Sequence, residues 1–92
     1  MRVYVKALGQ MKQFLGECSR EIELPEEATV EDFLRFMHEN WRGRFPAYLW
    51  NVQQRRFRGP VIIMVDSKVI RGPDTRLSDQ CEIELHKVVV GG

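Results

Sequence analysis

The sequence predicts an α+β domain with the element order β-β-α-β-β-β, and three observations carry that prediction. Apolar residues alternate with polar ones over Arg2–Leu8, Cys18–Leu24 and Cys81–Val89. They recur at helical spacing from Val30 to Trp41, and they run unbroken over Val61–Val65. Ninety-two residues, 43% hydrophobic and 29% charged, suit one small domain spanning 1–92 with an economical core.

The first strand, Arg2–Leu8, places Val3, Val5 and Ala7 on one face and Tyr4, Lys6 and Leu8 on the other. Gly9–Gly16 reads as a turn region anchored by Met11, Phe14 and Leu15. In the second strand, Cys18–Leu24, Ile22 and Leu24 point inward while Ser19, Glu21 and Glu23 point outward, so the two strands form a hairpin. Pro25 ends it. Thr29 then suits a helix N-cap, with Asp32 three residues on completing a capping box. Val30, Phe33, Leu34, Met37 and Trp41 make one apolar helical stripe. Gly43 and Pro46 stop the helix or restart a short one around Ala47–Val52. The wholly apolar Val61–Val65 segment wants cover on both faces, which predicts a central strand. Asp66-Ser67 makes a tight turn into a short return strand at Val69-Ile70, and Gly72-Pro73-Asp74 makes another turn. In the last strand Cys81, Ile83 and Leu85 alternate against Glu82, Glu84 and His86. One long helix between a hairpin and a returning pair of strands is the β-grasp arrangement, with the first and last strands parallel neighbours and the helix covering one face.

Net charge is +1, so bulk electrostatics select no partner. The local distribution is uneven: seven acids and one arginine lie from Glu17 to Asp32, and five arginines without an acid lie from Arg42 to Arg58. Arg42, Arg44, Arg55, Arg56 and Arg58 interleave with Phe45, Tyr48, Trp50 and Phe57, a composition that could bind nucleic acid; a solvated loop or a docking surface for an acidic protein is the commoner outcome, and near-neutral charge disfavours nucleic acid. Cys18 and Cys81 are too few for a secreted disulfide scaffold. No apolar run is long enough to cross a membrane and the N-terminus reads as a strand, so a cytoplasmic location is expected. His38 and His86 are isolated. Together with Cys18 and Cys81 they match no metal-ligand spacing, so no metal is expected.

The sequence stops on Gly91-Gly92, directly behind the last apolar strand. Glycine has no Cβ, so such an end is a carboxylate on a slender stalk that can enter a channel too narrow for side chains. A frayed terminus is the bland alternative. If Val61, Ile63 and Val65 face the helix, Ile62 and Met64 lie on the opposite face near Tyr4, an apolar patch of the kind that meets partners, unless the 43–58 loop folds over it.

Three segments resemble one known family: PEEATVEDFLRFM (Pro25 to Met37), VIIMVDSKVI (Val61 to Ile70) and TRLSDQCEIELHKVVVGG (Thr75 to Gly92). The chain is similar over its whole length to the ubiquitin-like sulfur carriers of the MoaD and ThiS type, and its length resembles the molybdopterin-synthase small subunit most. Family members often carry Asn-Gly at Asp66-Ser67 and Asp-Gly-Asp at Asp79-Gln80-Cys81, and molybdopterin-type members carry Pro-Pro at Lys87-Val88. The resemblance implies that the chain is a carrier and not itself an enzyme. It also implies that an ATP-using activating enzyme adenylates Gly92, which becomes a thiocarboxylate and donates its sulfur inside a synthase large subunit. Val90, Gly91 and Gly92 would thread the partner's channel, and Tyr4, Ile62, Met64 and Val88 would meet the partner surface. No cofactor would be bound; ATP would belong to the activating enzyme. Sulfur delivery to thiamine, cysteine or tRNA, or attachment of Gly92 to a protein lysine, are alternatives within the same fold. A nucleic-acid-binding module using the arginine loop is the alternative of another class.

Overall fold

The computed structural model describes residues 1–16, 18–58 and 61–87. Seven strands and two α-helices follow in chain order: β1 (Arg2–Leu8), α1 (Lys12–Leu15), β2 (Arg20–Glu23), α2 (Val30–Asn40), β3 (Trp50–Asn51), β4 (Arg56–Phe57), β5 (Val61–Val65), β6 (Lys68–Val69) and β7 (Glu82–Lys87). Five strands form one mixed sheet in the order β2-β1-β7-β5-β6, and β3 pairs with β4 as a separate small hairpin. β1 and β2 are antiparallel with Val3 opposite Ile22, while β1 and β7 are parallel with Val5 opposite Ile83. Hairpin, helix, crossover and parallel return together make the β-grasp topology that the element order predicts. Among the described residues, no helix is long and apolar enough to cross a membrane.

α2 forms where the apolar stripe and the cap both fall. The Thr29 backbone N–H donates to Asp32 Oδ2 at 2.8 Å, and the Thr29 side chain takes the N3 backbone N–H. Val30, Phe33, Leu34, Met37 and Trp41 are all buried, against Val3, Val5, Ala7, Ile83 and Leu85 of the sheet. Burying side chains of this size stabilises the fold by about 1.5–3 kcal/mol each before chain entropy is counted.

One expectation is corrected and two alternatives are decided. The Val61–Val65 strand is not central: β7 occupies the middle, between β1 and β5, and β5 has only the two-residue β6 on its far side. The parallel β1–β7 pairing puts the last strand inside, and the unbroken apolar run of β5 reflects an apolar outer face, not burial on both. No helix restarts over Ala47–Val52. Leu49 and Trp50 are driven into the core, 1% and 2% exposed, and Trp50 begins the β3–β4 hairpin. Nor does this loop cover the open face of the sheet. Phe45 packs on Phe14 and Phe57, and Trp50 packs on Phe57 and His38, so its aromatic residues extend the core on the helix side.

The Gly9–Gly16 connection is more ordered than a turn. A 3-10 turn over Gly9–Met11 leads into α1, with Met11 and Leu15 fully in the core. Gly16 leaves α1 at φ 89°, a conformation that disfavours any side chain. Between β5 and β6 the turn runs through Asp66 (φ 49°) and Ser67 (φ 68°), two successive left-handed residues, as a two-residue hairpin of this hand demands.

Candidate functional site

The strand that leads to the Gly-Gly end is the best-held element of the sheet. β7 is laddered on both sides, to β1 as far as Leu8 opposite His86 and to β5 as far as Val61 opposite Lys87. Ile83 and Leu85 on its inner face are completely buried. Val88, Val90, Gly91 and Gly92, the predicted tail and thiocarboxylate residues, lie outside the described residues.

Alternation along the strands fixes what the outer face presents. Across β1, β7 and β5, Leu8, His86 and Ile62 form one row, and Lys6, Glu84 and Met64 form the next, with Val69 of β6 beyond Met64. Ile62 is 36% exposed and Val69 62%. The described segments that leave the sheet, α1, α2 and the 42–58 stretch, pack on the opposite face through Leu15, Phe33 and Trp50. Tyr4 shares the outer face with Ile62 and Met64 but stands in a third row opposite Glu82, and its hydroxyl donates to Gln80 Oε1 at 3.1 Å. The structure therefore brings Ile62 and Met64 together with Leu8, Glu84 and His86, and leaves Tyr4 at the far end. Leu8, Glu84 and His86 each fall on the outward side of their own strand's alternation. Their conjunction depends on the parallel register of β1 and β7, which no local pattern encodes.

Lys6, Glu84 and His86 are the polar members of this end. The Glu84 side chain is only 16% exposed and that of His86 34%, with His86 Nε2 3.8 Å from Glu84 Oε1. That distance is too long for a hydrogen bond, and His86 Nε2 is shut off from water with no hydrogen-bond partner among the described residues.

The remaining titratable groups serve the fold. His38, 8% exposed, accepts a hydrogen bond from Trp50 Nε1 at Nδ1 (3.3 Å), and Arg42 Nη1 faces its Nε2 at 3.2 Å. Burial, then the Arg42 and Arg55 charges, push its pKa below the ordinary histidine value against a weaker opposing pull from Glu39. A neutral imidazole offers one acceptor nitrogen, here Nδ1, and a second ring proton would sit on that nitrogen and oppose the Trp50 donor. Asp79 accepts the Arg2 backbone N–H at 2.8 Å, and chiefly for that reason its carboxyl sits below the usual range. Burial pushes the Cys81 thiol up, which makes it a poor nucleophile at neutral pH, and Cys18 is exposed. Among the described residues no three His, Cys, Asp or Glu side chains stand close enough to hold a metal ion.

The arginine segment is largely tied down. Arg56 pairs with Glu31 at 3.1 Å, Arg58 donates to the Ala47 carbonyl at 2.9 Å, and Arg42 faces His38. A shallow cleft of about 290 Å³ lies beside it on the helix side, floored by Val30, Leu34, Phe57 and Ile63 and bordered by Arg56 and Arg71.

The sequence profile of the ThiS family matches residues 5–92. No curated protein matches the sequence. Among solved structures, SAMP1 from Haloferax volcanii superposes with a TM-score of 0.79 at 13% identity, each chain covered completely. Urm1 from Trypanosoma brucei gives a TM-score of 0.74 at 16% identity, covering 99% of this chain and 95% of its own. The complex of subunits 1 and 2 of the molybdopterin-converting factor from Helicobacter pylori holds a chain that matches with a TM-score of 0.67 at 22% identity, both chains covered completely. At these identities the three structures establish the shared fold.

Proposed function

The chain belongs to the ThiS family, and from that premise we propose that it carries sulfur as a thiocarboxylate on Gly92 and delivers it in molybdopterin synthesis. A free carboxylate resists nucleophilic attack because its charge and resonance oppose it, so it must first be activated. In the proposed cycle a Gly92 carboxylate oxygen attacks the α-phosphorus of ATP held by an activating enzyme, and pyrophosphate leaves. A sulfur nucleophile then attacks the acyl carbon, AMP leaves, and the C–S bond of the thiocarboxylate remains. The thiocarboxylate donates its sulfur in the active site of a synthase large subunit. The chain binds no cofactor and contributes no general base. Its work is to hold out the reactive end and to dock, in the cytoplasm where ATP and both partners would be met.

The observation that carries this proposal is the family match running to residue 92 over a sheet whose central strand feeds those last residues. Val90, Gly91 and Gly92 are the proposed channel segment. Ile62, Met64, Tyr4 and Val88 are the proposed contact residues, to which the strand register adds Leu8 and His86. The Helicobacter relative, which forms a two-subunit complex, supports a large-subunit partner. Intact mass after incubation with ATP, an activating enzyme and a sulfur source tests the proposal: exchange of oxygen for sulfur adds about 16 Da. An unchanged mass refutes it. The likeness to SAMP1, a small archaeal modifier protein, and to Urm1 motivates a second reading, in which activated Gly92 is joined to a lysine of another protein. That outcome yields a conjugate of summed mass less one water in place of the 16 Da product.

A further inference from the structure

We propose that the cleft on the helix side docks a segment of a different protein, one that presents an apolar side chain beside a carboxylate; this role is separate from the carrier reaction and does not depend on it. The cleft exists because one long helix cannot cover a five-stranded sheet. On the inner face, Val3 and Val5 of β1 and Ile83 and Leu85 of β7 are at most 1% exposed. Val61 and Ile63 of β5 are only partly buried, as are Phe57 and Ile70 beside them. With Val30 and Leu34 of α2, these four line the shallow hollow of about 290 Å³. A closed apolar cavity of about 150 Å³ accepts benzene, so this hollow has room for one aromatic or two aliphatic side chains. It is too open to enclose a free small molecule, most of whose surface a ligand site must bury. A protein segment brings its own cover.

The rim selects the charge of that segment. Arg56 and Arg71 border the hollow. Arg56 pairs with Glu31 at 3.1 Å, but both side chains are about half exposed, and a pair of that kind contributes little and exchanges readily. Among the described residues no acid stands within ion-pair distance of Arg71, and Asp74, the nearest in sequence, is exposed. Residues 42–76, which supply all of the lining outside α2, carry eight basic side chains and two acids, so the field over the hollow favours an anionic visitor. Nucleic acid shares that charge but not the floor: bases need open aromatic faces, and Phe57 is already packed edge-to-face on Phe45 and Trp50. A second copy does not fit either. The large apolar residues exposed among those described are Tyr48, Val52, Ile62 and Val69, and none adjoins an acid along the chain. The occupant is therefore another protein, with an apolar residue next to an acid in an exposed segment.

NMR titration of the full chain, at about 0.15 M salt, with a short end-blocked peptide holding one phenylalanine between two aspartates tests this. Saturable shifts are expected at the methyl groups of Val30, Leu34, Val61, Ile63 and Ile70, with Kd below about 1 mM. Replacing the phenylalanine by serine, or both aspartates by asparagine, should weaken binding about tenfold or more, and so should Arg71→Glu against the original peptide. Lys68→Glu makes the same change of charge sign at an exposed position outside the hollow and should stay within about twofold of the parent. Both substitutions are at exposed positions, and amide spectra unchanged away from them establish that the variants are folded. No saturable shift, shifts centred on Ile62 and Met64 of the outer face, or Arg71→Glu binding within twofold of the parent overturns the proposal. Cleft shifts that grow with protein concentration alone would make the occupant a second copy, and stronger shifts of the same methyl groups by single-stranded DNA would make it nucleic acid; either result also overturns it. The carrier role is read separately, by the mass change of Gly92, and stands or falls on its own.

Discussion

Ser67→Gly should stabilise this protein, and Asp66→Gly beside it should not. Both residues hold left-handed backbone, at φ 68° and 49°. An L-residue in that region costs roughly 1–2 kcal/mol, less for Asp, whose short polar side chain tolerates it. Glycine removes that cost and gives back about 0.4–1 kcal/mol through its freer unfolded chain, so Ser67→Gly nets a gain of about 0.5–1 kcal/mol. Asp66 differs in one respect: its Oδ1 accepts the Glu82 backbone N–H at 2.9 Å and ties the turn to the start of β7. Losing a hydrogen bond to a charged group costs about 1.5–3 kcal/mol, toward the lower end at an exposed turn, which outweighs the relief. The two variants should therefore differ by about 1–2 kcal/mol with opposite signs. Thermal unfolding resolves this, since 1 kcal/mol moves the midpoint by about 4–8 °C in a domain of this size. A lowered midpoint for Ser67→Gly, or parallel shifts in both variants, would refute the strain account of this turn.

Thr29→Ala removes the side-chain half of the α2 capping box and should cost about 1 kcal/mol, read from chemical denaturation midpoints at unchanged slope. His38 gives a pH dependence of definite sign. Its folded pKa lies below 6.5, so the unfolded chain binds the proton first as pH falls. Its stabilising contribution is whole above pH 6.5 and declines as pH drops through the lowered folded value; melting curves from pH 7 to about 5, above most carboxylate titration, should show that decline, and His38→Gln should flatten it. Gly91→Leu should keep the parent melting temperature and abolish pyrophosphate release with the activating enzyme, because a branched side chain blocks a narrow channel; full exchange by this variant would count against a threaded tail.

Much of the fold is legible in local pattern because each of its signals is local. The Thr29–Asp32 box and the Val30–Trp41 stripe specify α2 without reference to the rest of the chain. The alternation of Val3, Val5 and Ala7, and of Ile83 and Leu85, specifies inner faces. What sequence pattern misreads is tertiary. An all-apolar strand signals two apolar faces but not its rank in the sheet, so β5 reads as central when β7 is. Trp50 reads as part of a loop or a short helix until its indole finds His38 twelve residues away. For the candidate site, Ile62 and Met64 are readable from alternation alone. That Leu8, and not Tyr4, stands in line with Ile62 follows from a crossover pairing between the two ends of the chain, information that exists only once the sheet has closed.

The sheet's two borders narrow the ways in which anything can join it. Among the described residues no strand pairs with the outer edge of β2, where Arg20, Glu21 and Glu23 stand, and β6 is spent after two residues. Charged or abbreviated margins of this kind discourage the addition of a foreign strand. Visitors, whether a second copy or a different protein, are consequently steered away from ribbon-like extension and toward landing flat, which puts them over the very rows that adjoin the strand bearing the glycine end.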